Sequence, residues 1–123
     1  MIGVDLVLVE SFRCKAEGFH GVAFLARIFS DDELRLVESL TGLVRARSLA
    51  GHFAAKEAVI KASMGAYSIR DLLCIRLVRE PQGTMLAVVD RGASGPRCFE
   101  VSISHDGDYA IAVALETKRY PEI

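Results

Sequence analysis

The amino-acid sequence predicts an α+β fold in which one strand and several helices precede a run of strands. Residues 2–9 (Ile-Gly-Val-Asp-Leu-Val-Leu-Val) are short and rich in β-branched side chains, which is typical of a buried strand. Residues 44–64 contain no proline and much alanine, which indicates a long helix. Four apolar runs separated by turn residues follow, and they indicate four strands.

The segment between the first strand and the long helix predicts shorter helices. In residues 11–29, Gly18 and Gly21 interrupt a mixed pattern, so we expect a helix and a turn. Ser30 and Glu33 have the spacing of a capping box, which predicts that a new helix begins there. Its apolar side extends to residue 40, and residues 41–42 (Thr-Gly) end it.

The second half of the sequence predicts strands at residues 72–78, 84–89, 98–104 and 109–115. Gly65 ends the long helix before them. Turns are predicted at residues 80–83, 92–96 and 106–108. The last turn is short, so the final two strands are expected to form a hairpin.

Composition limits the class of protein. The length of 123 residues suits a single domain (residues 1–123), and 51% hydrophobic residues suffice for a core. A net charge of −1 gives no overall basic field for nucleic acid or a membrane. Cys14, Cys74 and Cys98 match no zinc or redox spacing. With no signal peptide and no membrane-spanning run, we expect a cytoplasmic protein.

Asp5 is the first candidate functional residue, because it interrupts an apolar strand. A buried carboxylate costs free energy unless something pairs with it. It could lie at a strand edge and contact a backbone amide or an arginine, or it could be a metal ligand. Its position in the sequence does not separate these alternatives.

Glu57 is the second candidate. Projected at about 100° per residue, the long helix places Glu57 in the middle of an apolar stripe that includes Phe53 and Ile60. Lys61 follows one turn later, so the two could form an ordinary surface ion pair. That interpretation explains the spacing but not the apolar surroundings, which favour a functional carboxylate such as a cation ligand.

His105 is the third candidate, at the end of a predicted strand, followed by Asp106 in a tight turn. Asp106 could simply cap backbone amides of the turn. Because Ser104, His105 and Asp106 are sequence neighbours and no nucleophile elbow is present, the sequence disfavours a hydrolase triad.

Two carboxylates from separate elements, together with a lysine and a histidine, suit one chemistry well. Mg²⁺ is usually held by one or two carboxylates and by the phosphates of a substrate, and the cationic side chains hold further phosphate charge. The sequence has no P-loop and no glycine-rich dinucleotide motif, so an ordinary nucleotide-binding fold is not predicted.

Four sequence blocks, in order, resemble the holo-acyl-carrier-protein synthases, a family of phosphopantetheinyl transferases. They are residues 3–7 (Gly-Val-Asp-Leu-Val), residues 24–33 with Arg-Ile-Phe-Ser and Glu33, residues 49–62 with Leu-Ala-Gly and Phe-Ala-Ala-Lys-Glu-Ala, and residues 101–110 with Val-Ser-Ile-Ser-His-Asp and Tyr-Ala. The resemblance covers nearly the whole chain.

The resemblance implies transfer of the phosphopantetheine arm of coenzyme A to a serine of an apo acyl carrier protein. It implies Mg²⁺ bound by Asp5 and Glu57 and a homotrimer whose active sites lie between subunits. Glu57, directly or through a metal-bound water, is the candidate for accepting the serine proton. Coenzyme A contacts are implied for Lys61, His105, Ser104, His52 and Lys56. Contacts with the carrier are implied for Arg13 and Arg27.

The sequence departs from the family pattern at several positions. Leu8 replaces an acid and His52 replaces an arginine, while Ser11 stands near the place of a basic residue that Arg13 could replace. The glycine-rich stretch after the long helix is short, at residues 65–68. Two alternatives to an active transferase therefore remain: a non-catalytic homologue that binds the carrier, and an unrelated metal-dependent hydrolase.

Overall fold

The computed structural model describes residues 1–91 and 95–121. The elements follow one another along the chain in this order: β1 Ile2–Leu8, α1 Val9–Glu17, α2 Gly21–Ala26, α3 Asp31–Arg35, α4 Gly42–Ala62, a 3-10 helix at Ile69–Cys74, β2 Ile75–Arg79, β3 Met85–Val89, β4 Arg97–Asp106 and β5 Tyr109–Thr117. Within this described part, none of the helices is both long and apolar enough to cross a bilayer.

The five strands form one sheet in the order β1-β5-β4-β3-β2, and every neighbouring pair is antiparallel. The predicted α+β class is therefore confirmed. The predicted final hairpin is confirmed too, because Asp106 pairs with Tyr109 across a turn in which Gly107 has a φ of 55°. Part of the predicted turn at residues 92–96 lies outside the described residues.

The first predicted strand of the C-terminal half begins later than expected. Residues Ile69–Cys74 form a 3-10 helix whose first turn is capped by Ser68, and Ser68 N donates to Asp71 Oδ2 at 2.8 Å. Pairing of β2 with β3 ends at Ile75 opposite Val89. Because β3 offers no ladder partner to the residues before Ile75, local capping determines their conformation.

The predicted capping box is confirmed. Ser30 N donates to Glu33 Oε1 at 2.9 Å, and Glu33 N donates to Ser30 Oγ at 3.2 Å. The helix α3 is shorter than predicted, because it ends at Arg35 and continues as turns. Val37 N, for example, donates to the carbonyl of Leu34 rather than to a residue four positions back.

The helix α4 lies very close to the inner face of the sheet. A Cβ atom added to Gly3 would come within 2.1 Å of the Ala58 carbonyl oxygen and within 2.7 Å of Ala62 N. The facing surfaces consist of small side chains that are fully buried, namely Ala50, Ala54, Ala58 and Ala62 on α4 and Ala110, Ala112 and Ala114 on β5. Small side chains on both surfaces allow this close approach, which positions the polar residues described below.

Lys56 is a completely buried cation on α4. Its side chain is 0% exposed, and Nζ donates to Glu33 Oε1 at 2.8 Å, to the Ile28 carbonyl at 2.8 Å and to the Leu72 carbonyl at 3.1 Å. Burial lowers the pKa of Lys56, and the Glu33 carboxylate opposes that shift. All three ammonium donors are thus used, and they tie the α2–α3 segment and the 3-10 helix to α4.

We expect Lys56→Met to destabilise the fold by about 3–5 kcal/mol, because the change leaves the Glu33 carboxylate and two carbonyls without their donor. Urea unfolding followed by circular dichroism measures the loss. Lys15→Met, at an exposed position of α1, is the matched control, with an expected effect within about 0.5 kcal/mol. Equal stability of the two variants would contradict the structural role of Lys56.

Candidate active site

Asp5 lies on the side of β1 that faces α4, between Gly3 and Val7. Its side chain is 15% exposed. Lys61 Nζ donates to Asp5 Oδ1 at 2.9 Å and to the Val4 carbonyl at 3.0 Å. A lysine from α4, rather than an arginine or a backbone amide, therefore pairs with this carboxylate, and one of the three ammonium donors of Lys61 remains for another acceptor.

Glu57 lies on α4 one turn before Lys61 and is half-buried. Burial raises the pKa of the Glu57 carboxyl above its usual value, and the negative charge of Asp5 raises the pKa further, while Lys61 lowers it. The charge of Asp5 therefore acts on Glu57 across the contact between β1 and α4. A single lysine lies beside them, so the cluster of three side chains carries a net negative charge when both acids are ionised.

The helical projection predicted that Glu57 lies in the middle of the buried face of α4. In the structure it lies at the margin of that face. Its neighbours Phe53 and Ile60 are partly buried, and Met64 is 72% exposed. The fully buried charged residue is the adjacent Lys56. The projection places the buried face of α4 about one residue position away from where it lies. It is drawn toward large apolar side chains, whereas alanines make the closest contact with the sheet.

The donor set of Asp5 and Glu57 fits Mg²⁺. Two carboxylates leave several coordination positions to phosphate oxygens and water, as this cation prefers. Among residues 1–91 and 95–121, no group of three or more His, Cys, Asp and Glu side chains is arranged to hold a metal ion.

His105 lies at the end of β4, and its imidazole ring packs against α4 at Gly51. A Cβ atom added to Gly51 would come within 3.0 Å of His105 Nε2 and within 2.9 Å of Ile103 Cγ2, so a side chain at this position would crowd the ring. His105 Nε2 lies 2.8 Å from the Arg47 carbonyl oxygen. Because a carbonyl only accepts, Nε2 carries the proton in this hydrogen bond.

His52 and His105 line a cavity of about 350 Å³. The complete lining consists of Val44, Arg47, Ser48, His52, Arg79, Ile103 and His105. None of these seven residues is acidic, and four carry nitrogen donors in their side chains. Burial lowers the pKa of His52, and the positive charge of Arg79 lowers it further, although Glu33 opposes the shift.

Two of the residues predicted to contact coenzyme A lie away from the cavity that His52 and His105 line. Lys56 is fully buried and all its donors are used within the fold, so it offers none to a ligand. Ser104 lies opposite Ile111 on the outer face of the sheet, while His105 and Ile103 lie on the inner face, because side chains alternate along a strand. Ser104 is therefore not brought to the cavity of its own chain.

The two arginines predicted to contact a carrier protein differ in their surroundings. Arg13 Nε donates to Glu17 Oε2 at 2.6 Å on the surface of α1. Arg27 is exposed and lies beside Glu57 in the lining of an apolar hollow. The other residues of that hollow are Phe24, Ile28, Phe53, Ile69 and Leu72. Arg27 thus lies near the carboxylate pair, and Arg13 is held by an acid of its own helix.

Sequence reasoning missed Arg47 and Arg79 as members of the cavity. Arg47 precedes Gly51 by one helical turn, so its position beside the glycine that admits His105 could have been read from the helix period. Arg79 comes from β2, and only the pairing of the strands brings it to this end of α4.

Comparison with known proteins gives consistent matches over the chain. Residues 1–114 match the sequence model of the 4′-phosphopantetheinyl transferase superfamily. A holo-[acyl-carrier-protein] synthase of Pelodictyon phaeoclathratiforme is 36% identical over 117 residues, covering 93% of this chain and 95% of the relative. The synthase of Anaplasma phagocytophilum is 37% identical over 121 residues, covering 94% and 97%.

A solved structure agrees with these relatives. The holo-[acyl-carrier-protein] synthase of Helicobacter pylori in complex with coenzyme A superposes with a TM-score of 0.75 at 28% identity, over 95% of this chain and 100% of that one. Fold and site together define a phosphopantetheinyl transferase. Within that class, the chain belongs to the holo-[acyl-carrier-protein] synthase family, which confirms the resemblance seen in the sequence.

We expect the lowered pKa of His52 to make stability depend on pH. The folded protein binds fewer protons at His52 than the unfolded chain does, so the contribution of neutral His52 is complete above its ordinary pKa of about 6.5 and is lost as the pH falls through the lowered value. The difference between the free energies of unfolding at about pH 8 and at about pH 5 should therefore be smaller in His52→Gln than in the wild type.

His20→Gln, at an exposed position, controls for removal of a histidine as such. An identical change in His52→Gln and wild type would contradict this linkage.

Proposed function

We propose that this enzyme transfers the 4′-phosphopantetheine moiety of coenzyme A to a serine of an apo acyl carrier protein, depends on Mg²⁺ and releases adenosine 3′,5′-bisphosphate. One observation carries the proposal: Lys61 Nζ of α4 donates to Asp5 Oδ1 of β1 at 2.9 Å, and Glu57, one helical turn before Lys61, is subject to the negative charge of Asp5. This arrangement supports a cation-assisted reaction at a phosphate, because two acids whose charges repel each other gain stability from a divalent cation.

Asp5 and Glu57 would hold the Mg²⁺ together with the pyrophosphate of coenzyme A. The bound metal would supply electrostatic stabilisation of the charge that develops on the phosphate oxygens. Lys61 is oriented for the same purpose by Asp5 and the Val4 carbonyl, and its remaining N–H can donate to a phosphate oxygen.

Glu57 is the proposed proton acceptor. The serine hydroxyl oxygen forms a bond to the β-phosphorus, its proton passes to Glu57, and the bond between that phosphorus and the bridging oxygen breaks. Adenosine 3′,5′-bisphosphate leaves with the electron pair. A general base typically contributes about 10²–10⁴-fold to a rate.

The carrier protein is proposed to approach over the apolar hollow at Arg27. This exposed arginine lies beside Glu57, where a guanidinium could pair with an acid of the carrier while its serine reaches the reacting phosphate. Arg13 is a second proposed contact, and it would have to exchange its ion pair with Glu17 for one with the carrier. The compartment is proposed to be the cytoplasm, since Cys14 and Cys74 are exposed free thiols.

The homotrimer is proposed from the outer face of the sheet. Apolar side chains lie directly opposite each other on β1 and β5, and all are exposed in the single chain: Ile2 with Leu115, Val4 with Val113, Leu6 with Ile111 and Leu8 with Tyr109. On β4 the same face is polar, at Glu100, Ser102, Ser104 and Asp106. A continuous apolar strip of this kind is typical of a subunit interface, and copies of this chain are the proposed occupants.

The test of transfer is intact-mass spectrometry of an apo acyl carrier protein after incubation with the enzyme, coenzyme A and Mg²⁺. We expect a mass gain of one phosphopantetheine, lost with EDTA, and a rate that falls by about 10²–10⁴-fold in Glu57→Gln. Glu38→Gln, an exposed glutamate in the turn after α3, should retain the rate. If several carriers bind but gain no mass, the non-catalytic alternative is correct instead.

The trimer is tested by size-exclusion chromatography with light scattering. We expect the wild type to have the mass of three chains and Leu6→Arg to dissociate, because the variant places a charge in the middle of the apolar strip. Leu36→Arg is the control, since Leu36 is 77% exposed in the turn after α3 and lies outside the strip. A wild-type protein with the mass of one chain would rule the trimer out.

A further inference from the structure

We propose that the C-terminal segment of this chain, residues 118–121, is a strap over a second apolar surface on the outer face of the sheet, and that it keeps copies of the chain from associating there. The strap goes beyond the proposed transfer reaction. Its effect on association rests on the proposed trimer, whereas the strap itself does not. One apolar region of the outer face is thus open to another copy, and the other is closed by the chain itself.

The second apolar surface consists of Val78 on β2, Leu86 and Val88 on β3, and Cys98 on β4, which pack together as one cluster. The register of the strands places all four on the outer face of the sheet, the face that also carries the apolar strip of β1 and β5. Leu86 is 0% exposed and Cys98 is 1% exposed, whereas Leu6 in the apolar strip is 60% exposed. Side chains on an uncovered sheet face would contact water, so other parts of the chain cover this surface.

Arg119 fixes the strap across the second apolar surface. Its Nη1 and Nη2 donate to the two carboxylate oxygens of Glu80, at 2.9 Å and 2.7 Å, and its Nε lies 3.7 Å from Glu100 Oε1. Glu80 directly follows β2 and Glu100 belongs to β4, where it pairs with Leu86, so the guanidinium reaches over β3 at Leu86. The Glu80 side chain is 0% exposed and the pair is bidentate, which makes this contact more specific than an ordinary surface ion pair.

Tyr120 fixes the strap at a second point. Its hydroxyl donates to the Pro96 carbonyl at 2.7 Å, beside the start of β4 and close in sequence to Cys98. Burial raises the pKa of the Cys98 thiol, and the charges of Arg119 and Glu80 act on the same thiol, which places this ion pair near it. The strap is therefore anchored at Leu86 and again near Cys98. The part of the chain that matches the superfamily model, residues 1–114, ends before the strap.

Covering this surface has a consequence for assembly. Without the strap, the outer face would expose apolar side chains on β1 and β5 and again on β3, on either side of polar residues of β4 such as Glu100 and Ser102. Two separate apolar surfaces on one subunit permit contacts that do not close into a ring, and such contacts build open assemblies. Within the described part of this face, the strap leaves the apolar strip of β1 and β5 as the surface open to another copy.

The strap is tested by alkylation of Cys98 with iodoacetamide in the full chain, located by peptide mass spectrometry. We expect the rate of labelling to rise by about 10- to 100-fold in Arg119→Met, because the loss of charged hydrogen bonds shifts the equilibrium from the covered toward the open surface. Tyr120→Phe loses one hydrogen bond between neutral groups, so its rate should rise by only about 2- to 10-fold. Cys14 and Cys74 are exposed thiols and serve as internal references in each sample.

Lys118→Met is the matched control, since it removes the neighbouring exposed cation of the same segment and should keep the wild-type rate. Repeating the labelling in low concentrations of urea separates opening of the strap from global unfolding. A rate limited by strap opening changes little with urea, because little surface is exposed, whereas a rate limited by global unfolding rises steeply. An Arg119→Met rate equal to that of the wild type, or one that rises steeply from the lowest urea concentration, overturns the strap.

Size-exclusion chromatography with light scattering tests the effect on association. We expect Arg119→Met to form assemblies heavier than those of the wild type, with a mass that grows with protein concentration, while Lys118→Met keeps the wild-type mass. Fast labelling of Cys98 in an Arg119→Met protein of wild-type mass overturns the role of the strap in association. If the wild type has the mass of one chain, the proposed trimer is wrong, and the labelling of Cys98 decides the strap independently.

Discussion

The close contact between α4 and the inner face of the sheet is the constraint on which the site depends. At Gly3 even a single methyl group would collide with the backbone of the helix at Ala58 and Ala62. Alanines and glycine on both surfaces remove the side-chain layer that normally separates a helix from a sheet. As a result, short polar side chains such as Asp5 can reach groups on α4, and a longer helix–sheet distance would separate Asp5 from Lys61.

The same helix carries three charged groups with different roles because each faces a different neighbour. Lys56 faces the interior and is used entirely by Glu33 and two carbonyls. Glu57, the next residue, lies about 100° away around the helix and is half-buried. Lys61 lies one turn beyond Glu57 and bridges to β1. Consecutive positions on the helix thus carry a cation that stabilises the fold and an acid proposed to act in catalysis.

The two faces of the sheet divide the proposed functions between them. The inner face holds Asp5 and His105 against α4, at two levels along the helix. The outer face of β1 and β5 is apolar and turns polar at β4. Because side chains alternate along each strand, consecutive residues such as Ser104 and His105 serve different faces. Ser104 belongs to the margin of the proposed subunit interface.

The sequence by itself determined the α+β class, the capping box at Ser30, the final hairpin and the family, because these depend on local patterns: periodicity, capping spacing, turn residues and contiguous motifs. It also singled out Asp5 and Glu57 as carboxylates in apolar surroundings. Tertiary structure alone decided which charged residue is buried, since the helix period cannot distinguish Lys56 from Glu57 without the position of the sheet. It also decided that Arg79 of β2 joins Arg47 of α4 at one cavity, because strand pairing, and no local sequence pattern, brings them together.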